Sequence, residues 1–504
     1  MLNQSFSFEN FRVLLDVENR KGNYLLDKGH FSNDDDVFKE ARSITDKIIR
    51  INKEINKEYK SLPNLHLIKD EDYNKIRKLE SEKEELKKER EVKIELALTK
   101  IANDVNDDSF RIEVKKGIVK YGSQLYITDN TIGNYLVLKQ LQRNIYKTFG
   151  VKQADRKLII SQIKLLLNEN FPKTIIRTDI SKFYESIPHQ QLINKIDENS
   201  LLNYQSKRII KNILNQYWKI LVADGVKTST EERVGLPRGI GISAFLSELY
   251  LKDFDKIIRG FPNVIYYARY VDDIIVIFSP NHRKEVYTKN YHKKQIQNVI
   301  KQFHLEMNLS KTKFFDLTKQ NSDRNRAKKY EITFLGYKFC KSFKWSKNKN
   351  GDDVIIPDSL VVSMSDAKLE RIKEKIRLSF EDYKNDIAKY AGKERNTARK
   401  LIQRIKILTH NFRLYRRKSN VLIGIYFSNE FLTPDLKDLK TLDTFLNNEI
   451  ITNTGLSAKT SIALSNLSFE QGFKHKKTLN FNFNQKFKRG SVSIQEIIKI
   501  WKAL

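Results

Sequence analysis

Six apolar residues, Val37, Ala41, Ile44, Ile48, Ile51 and Ile55, recur at alternating three- and four-residue steps behind the acidic, cap-rich run Asn33-Asp34-Asp35-Asp36. That spacing predicts an amphipathic helix. A second helical pattern over residues 72–103 has a thinner stripe of Ile76, Leu79, Leu86, Ile94, Leu98 and Ile101. Its many Lys and Glu residues read as a solvated helix face. Between residues 110 and 129 the period changes: Ile112, Val114, Ile118, Tyr121, Leu125 and Ile127, broken by Gly117 and Gly122, predict a β-hairpin. Asp129-Asn130-Thr131 then caps a helix to about residue 148, and a further helix runs through Ile159, Ile160, Ile163 and Leu166.

Downstream, Pro172 closes that helix and a short apolar strand leads straight into Asp179. A helix ends near Val222. The stretch Gly235-Leu236-Pro237-Arg238-Gly239-Ile240-Gly241 then forms a tight turn with exposed backbone, and Ser243 opens an amphipathic helix. Tyr267 to Phe278 reads as two short buried strands with Asp272 and Asp273 at the turn between them. A helix over residues 291–303 follows. Strands are expected around Ile332 to Phe339, and Asn350-Gly351 marks a hairpin turn. From Ser365 onward the pattern is helical and basic, with helices over 369–390 and 396–414, then 436–448 and 493–501. Between these last two, Phe481, Phe483 and Phe487 interleave with Lys477, Lys486, Lys488 and Arg489, a pattern suited to base stacking with phosphate contact or to core aromatics on a strand.

Two adjacent acids at the tip of an apolar hairpin call for an explanation. Side chains alternate along a strand, so only one of Asp272 and Asp273 can be the principal ligand of a divalent cation, and a third carboxylate must come from elsewhere. Asp179 is the candidate; a structural ion pair with Arg177 is the alternative for it. Phosphoryl transfer between nucleotides uses two Mg2+ ions, one activating the attacking 3′-hydroxyl and one holding the leaving pyrophosphate. Carboxylates on adjacent strands supply the hard oxygen donors that such ions prefer.

Charge narrows the partner. Against 62 Asp and Glu stand 93 Lys and Arg, a formal net charge of +31. A Lys-rich codon bias raises Lys everywhere but does not by itself create this excess over acids, so a polyanion, most simply nucleic acid, is expected. Arg143, Lys147, Lys152, Arg156 and Lys157 form a basic cluster that suits either a solvated face or the receipt of a triphosphate. The single Cys340 excludes an intramolecular disulfide and a Cys-based zinc site and fits a reducing compartment. No apolar run approaches the ~20 residues of a membrane span, and Met1 is followed by polar residues, so a soluble, cytoplasmic protein with no membrane partner is expected.

In order and spacing these stretches resemble the palm motifs of reverse transcriptases: residues 179–188 the first, 235–251 the second, Tyr270-Val271-Asp272-Asp273 the Tyr-x-Asp-Asp motif, 305–312 the fourth and Phe334-Leu335-Gly336 the fifth. The resemblance implies an α+β, right-hand polymerase fold: a helical extension over 1–109, fingers and palm over 110–340 with an antiparallel sheet and helices, a basic helical thumb over 341–430, and a basic, partly helical C-terminal region over 431–504. It implies RNA-directed DNA synthesis with two Mg2+ ions, for which Mn2+ could substitute. Asp179 and Asp272 become the principal ligands, Asp273 supports them, and the Ile180 carbonyl completes a coordination shell. Tyr184 matches the bulky residue that excludes a ribose 2′-hydroxyl. Lys311 matches the lysine near the phosphates, and Gly336 with Tyr337 the strand that steadies the primer end. Arg143 and Arg156 would contact the triphosphate, with Arg238 and Gly239 beside the nucleotide.

One departure stands out. The second motif commonly reads Leu-Pro-Gln-Gly, whereas Leu236-Pro237-Arg238-Gly239 carries a guanidinium. The ending Tyr184-Glu185-Ser186-Ile187 and the stretch from Asn420 to Asn429 look most like bacterial phage-defence reverse transcriptases, related to retron and group II intron enzymes. The partners implied are a non-coding RNA template, dNTPs and a DNA product, with a homo-oligomer or a second defence protein also compatible. Two rivals stand beside this reading: a template-independent or protein-primed terminal transferase on the same fold, and a non-catalytic RNA-binding scaffold.

Overall fold

The computed structural model describes residues 3–26, 31, 36–61, 73–120, 122–198, 201–280, 289–317, 329–347, 350–351, 353–389, 394–416, 419–482 and 497–501. The chain folds as two compact units, each assembled from separated stretches. One comprises Met1–Val119, Ser123–Lys152 and Tyr184–Tyr250; the other comprises Lys120–Gly122, Gln153–Phe183 and Leu251–Leu504.

In the first unit the two N-terminal stripes become helices Asp36–Ser61 and Asn74–Asn106, which meet through Ile51, Ile55 and Ile76. The acidic run at 33–35 lies outside the described residues. Strands β1 (Val114–Lys120) and β2 (Ser123–Thr128) form the expected hairpin, and Thr131 caps helix Ile132–Phe149 by accepting from the Asn134 amide. Helix Tyr204–Ala223 buries Ile209, Ile210, Ile213, Leu214, Tyr217 and Trp218 on one face. The Gly-Pro-rich stretch follows as a loop and leads into helix Ile242–Tyr250.

The second unit holds an antiparallel sheet of β3 (Thr174–Asp179), β4 (Val264–Tyr270), β5 (Asp273–Phe278) and β6 (Lys313–Asp316), in the order β4-β5-β3-β6. Central strand β5 is buried from Ile274 to Phe278. Such a continuous apolar run is what a strand covered on both faces requires. Helix Arg156–Asn168 packs Ile159, Ile160, Ile163 and Leu167 into the same core as Ile175, Ile275 and Ile277. That core continues into a second sheet, β7 (Lys329–Phe334), β8 (Tyr337–Lys347) and β9 (Asp353–Met364), and then into helices Asp366–Lys389 and Lys437–Thr452. Asn350-Gly351 does turn β8 into β9, with Lys344 opposite Ile356 and Trp345 opposite Ile355.

The C-terminal part departs from the helical expectation. The helix expected over 396–414 is Glu394–Thr409, after which the chain extends as β10 (Asn411–Arg416), pairing with β11 (Ser419–Gly424) and, in parallel, with β12 (Thr478–Asn482). The reason is tertiary. Buried Asn411 donates its side-chain amide to the Gly472 carbonyl at 2.8 Å and accepts from the Tyr426 amide at 2.8 Å, which fixes extended backbone where the local charge pattern favoured more helix. Phe483, Phe487, Lys486, Lys488 and Arg489 lie outside the described residues, as does most of the helix expected over 493–501. Lys499–Trp501 ends the described chain as a 3-10 turn. Cys340 is buried, as expected of a small hydrophobe. No described helix is long and apolar enough to cross a membrane.

Candidate active site

Register decides which acids meet. In the β3–β5 ladder Asp179 stands directly opposite Asp273, with Thr178 opposite Ile274 and Arg177 opposite Ile275. Directly opposed residues share a face of the sheet, and Arg177, two residues back, lies on that face too. Its guanidinium reaches diagonally to Asp273, Nη2 to Oδ1 at 3.2 Å. The ion pair considered for Asp179 with Arg177 therefore goes to Asp273. Burial pushes the Asp273 carboxyl up, and Arg177 partly offsets that.

Asp179 is 5% exposed and takes its cation from the segment resembling the fourth motif. Lys311 donates from Nζ to Oδ2 at 2.9 Å, while Asn308 Nδ2 lies 3.5 Å from the same oxygen. That hydrogen bond, together with the charge of Asp179 and smaller contributions from Asp272 and Asp273, holds the Lys311 ammonium above its ordinary range. The backbone stitches this segment to β3: the Asn308 amide donates to the Asp179 carbonyl at 2.9 Å and the Ser181 amide to the Glu306 carbonyl at 2.8 Å. Buried Ile180, bridged to Met307, donates its amide to the Asp272 carbonyl at 3.2 Å. Asp179, Ile180, Asp272, Asp273 and Lys311 are thus brought to one end of one sheet.

The turn carrying Asp272 is strained and clamped. Val271 has φ +60°, a left-handed conformation that a β-branched residue resists. Buried Arg269 holds it, donating from Nη1 to the Val271 carbonyl at 2.9 Å while its other nitrogens grip Asp255 at 2.8 Å each. Tyr267 donates its hydroxyl to the same Asp255 carboxylate. Neither Arg269 nor Asp255 was legible as a site residue, because Asp255 comes from helix Lys252–Arg259 and only the fold joins them.

Among the described residues no group of three or more His, Cys, Asp or Glu side chains is gathered as a metal-holding cluster. Asp179 and Asp273 are each paired with a cation, Lys311 and Arg177 respectively. One feature still fits a divalent ion: Asp179 Oδ1 is buried without a hydrogen-bond partner, a costly state for a carboxylate oxygen that a cation would relieve.

The second sheet carries Gly336 and Tyr337. Leu335 and Gly336 both have positive φ, +44° and +77°, making the two-residue turn between β7 and β8. Arg156 braces it, donating to the Leu335 carbonyl from Nη2 at 2.6 Å and from Nε at 3.2 Å, and a Cβ on Gly336 would sit 2.8 Å from that Nη2. Lys368 lies over the Tyr337 ring at 4.6 Å, and Tyr337 donates to the Ser428 carbonyl at 3.2 Å. For Arg156 the sequence offers a solvated face or a triphosphate contact; its bond to Leu335 is a finding of the fold. Arg143 belongs to the other unit, half-buried, with Nη1 lacking a partner.

In the first unit the Leu-Pro-Arg-Gly loop is fixed through its glycines. Gly239 has φ +108°, and a Cβ there would lie 2.6 Å from the Tyr126 carbonyl oxygen; the Tyr126 amide in turn donates to the Arg238 carbonyl at 2.7 Å. The Leu236 amide donates to the Tyr184 carbonyl at 2.7 Å and the Gly235 amide to the Ile187 carbonyl at 2.8 Å, so Tyr184, Arg238 and Gly239 belong to one network.

The family model described as "Reverse transcriptase (RNA-dependent DNA polymerase)" matches residues 75–339, just over half of the chain and all five stretches above. Solved structures similar to the chain include telomerase from Candida albicans in complex with a fragment of telomeric RNA, at 11% identity and TM-score 0.31 over 72% of this chain and 61% of that one. Another is apo telomerase from Candida tropicalis, truncated from its C-terminal domain, at 12% identity and TM-score 0.30 over 49% and 55%. The chain thus spans less than two thirds of the length of either structure. No curated protein sequence matches it. With its motif-bearing region matched throughout, the chain belongs to the reverse transcriptase (RNA-dependent DNA polymerase) family, whose members are nucleotidyltransferases.

Proposed function

We propose that the protein is an RNA-directed DNA polymerase that copies a small non-coding RNA in bacterial defence against phage, acting in the cytoplasm. The observation that carries the polymerase reading is the opposition of Asp179 and Asp273 across β3 and β5, with the Lys311 ammonium on Asp179, inside a matched reverse transcriptase region. Asp179, Asp272 and Asp273, with the Ile180 carbonyl, would hold Mg2+. Bound there, the metal supplies activation of the primer 3′-hydroxyl and neutralisation of charge on the leaving pyrophosphate. Lys311, poised on Asp179 by 2.9 Å, keeps a proton-bearing cation beside the carboxylates where phosphate charge would arrive. Arg177 keeps Asp273 oriented, and the Arg269 clamp keeps the turn from relaxing. Gly336 and Tyr337 would steady the primer, and Tyr184 would reject a ribose 2′-hydroxyl. Fingers and palm would span residues 110–340 and the thumb 341–430. The defence role rests on the likeness of residues 184–187 and 420–429 to phage-defence enzymes.

The test is primer extension with dNTPs on a supplied RNA, followed by sequencing of the product. A complementary copy is expected, and Asp179→Ala is expected to lower incorporation about a thousandfold or more while RNA binding persists. DNA made without regard to the template would favour a terminal transferase, and undiminished synthesis by the variant would remove the assignment. For the defence role, RNA and DNA copurifying from the native host would be sequenced; absence of a small RNA would count against it.

A further inference from the structure

Arg238 is where the second motif departs from its usual Gln, and the structure gives it a partner. Its Nη2 lies 3.1 Å from Glu185 Oε1 and 3.2 Å from Oε2, and the guanidinium carbon is 5.2 Å from the centre of the Tyr184 ring. A guanidinium on an aromatic face is attracted by the ring quadrupole. Unguided, however, an Arg side chain has several rotamers of similar energy and samples them freely. Glu185 removes that freedom: its carboxylate neutralises the cation and aims it at the ring of the residue next to it in sequence. The backbones are already tied, because Leu236 donates to the Tyr184 carbonyl and Gly235 to the Ile187 carbonyl. A neutral Gln at 238 would offer neither a charge for Glu185 nor a cation for Tyr184.

We infer that Glu185 is a positioning residue for sugar discrimination: through Arg238 it holds the Tyr184 ring where a ribose 2′-hydroxyl would have to fit. This rests on the reading of Tyr184 as the residue that excludes that hydroxyl. Steric exclusion works only if the ring cannot tilt aside, and the Glu185–Arg238–Tyr184 stack supplies that restraint from outside the ring. The paired side chains are 40% and 36% exposed, so the ion pair adds little to folding stability and can be removed without unfolding the unit.

The test measures kcat/KM for a dNTP and the matching rNTP in primer extension, with thermal unfolding as a folding control. Glu185→Gln is expected to raise the ribo-to-deoxy ratio about fivefold to tenfold, chiefly through a lower KM for the ribonucleotide, with an unchanged melting temperature. In an Arg238→Gln background the same Glu185→Gln change is expected to have no further effect, which a general structural role for Glu185 would not produce. Tyr184→Ala separates the two levels. If it leaves the ratio unchanged, the Tyr184 reading fails and this inference with it. If it raises the ratio while Glu185→Gln does not, or if Glu185→Gln acts equally in both backgrounds, the inference alone is overturned.

Discussion

The turn bearing Asp272 and the loop bearing Arg238 both hold backbone conformations that most residues avoid, and they do so by opposite means. Val271 is a β-branched residue forced to φ +60° and pinned from outside by Arg269, itself locked on Asp255. Gly239 reaches φ +108° with no side chain to resist it, and the space a Cβ would need is filled by the Tyr126 carbonyl. A clamp of side chains stores strain and can be released by one substitution. A glycine conformation stores none, and fails only when a side chain is added. The first therefore suits a turn that fixes a carboxylate, the second a loop whose backbone lies close against a neighbouring strand.

The largest effect is expected from breaking the clamp. Arg269→Leu leaves the Asp255 carboxylate without its bidentate partner and frees the Val271 carbonyl, which should cost about 3–5 kcal/mol of stability in chemical denaturation. Incorporation should fall about a hundredfold, because the Asp272 carboxylate loses its fixed position. A variant with normal stability and activity would mean that the turn needs no clamp.

Gly239→Ala should act less on stability and more locally, since the new Cβ meets one backbone oxygen at the loop. We expect about 1–3 kcal/mol lost in thermal unfolding, with KM for the nucleotide rising more than kcat falls. A KM left at the wild-type value would separate this loop from nucleotide handling and weaken the contrast. The smallest change is Val271→Gly, which removes the steric resistance while keeping the Arg269 bond. Stability should hold or rise by up to about 1 kcal/mol while kcat drops a few fold, because the turn is no longer stiff. If kcat were unaffected, the strain at Val271 would have no catalytic part.

Much of the site was legible because it lies on regular elements. The apolar runs flanking Asp179 and Asp272-Asp273 are read directly as strands, and pairing two such strands leaves few registers in which their acids meet. The stripe from Ala41 to Ile55 likewise became a buried helix face, since a 3.6-residue period has one structural meaning. The extended stretch Asn411–Arg416 was not legible: its residues carry a helix-compatible charge pattern, and the deciding bonds run from Asn411 to Gly472 and Tyr426, far away in the chain.

What the sequence determined by itself is therefore the set of chemical groups and the local elements that carry them: three aspartates at strand ends, a glycine-rich loop with an unusual Arg238, and a basic chain suited to nucleic acid. What only the tertiary structure decided is which cation each acid receives. Arg177 goes to Asp273 through diagonal register, Lys311 to Asp179 through a segment more than a hundred residues away, Arg269 to Asp255, and Arg238 to Glu185. Local sequence encodes backbone preference within a few residues, whereas charge pairing acts through space, and the distances involved exist only once the strands and helices have packed.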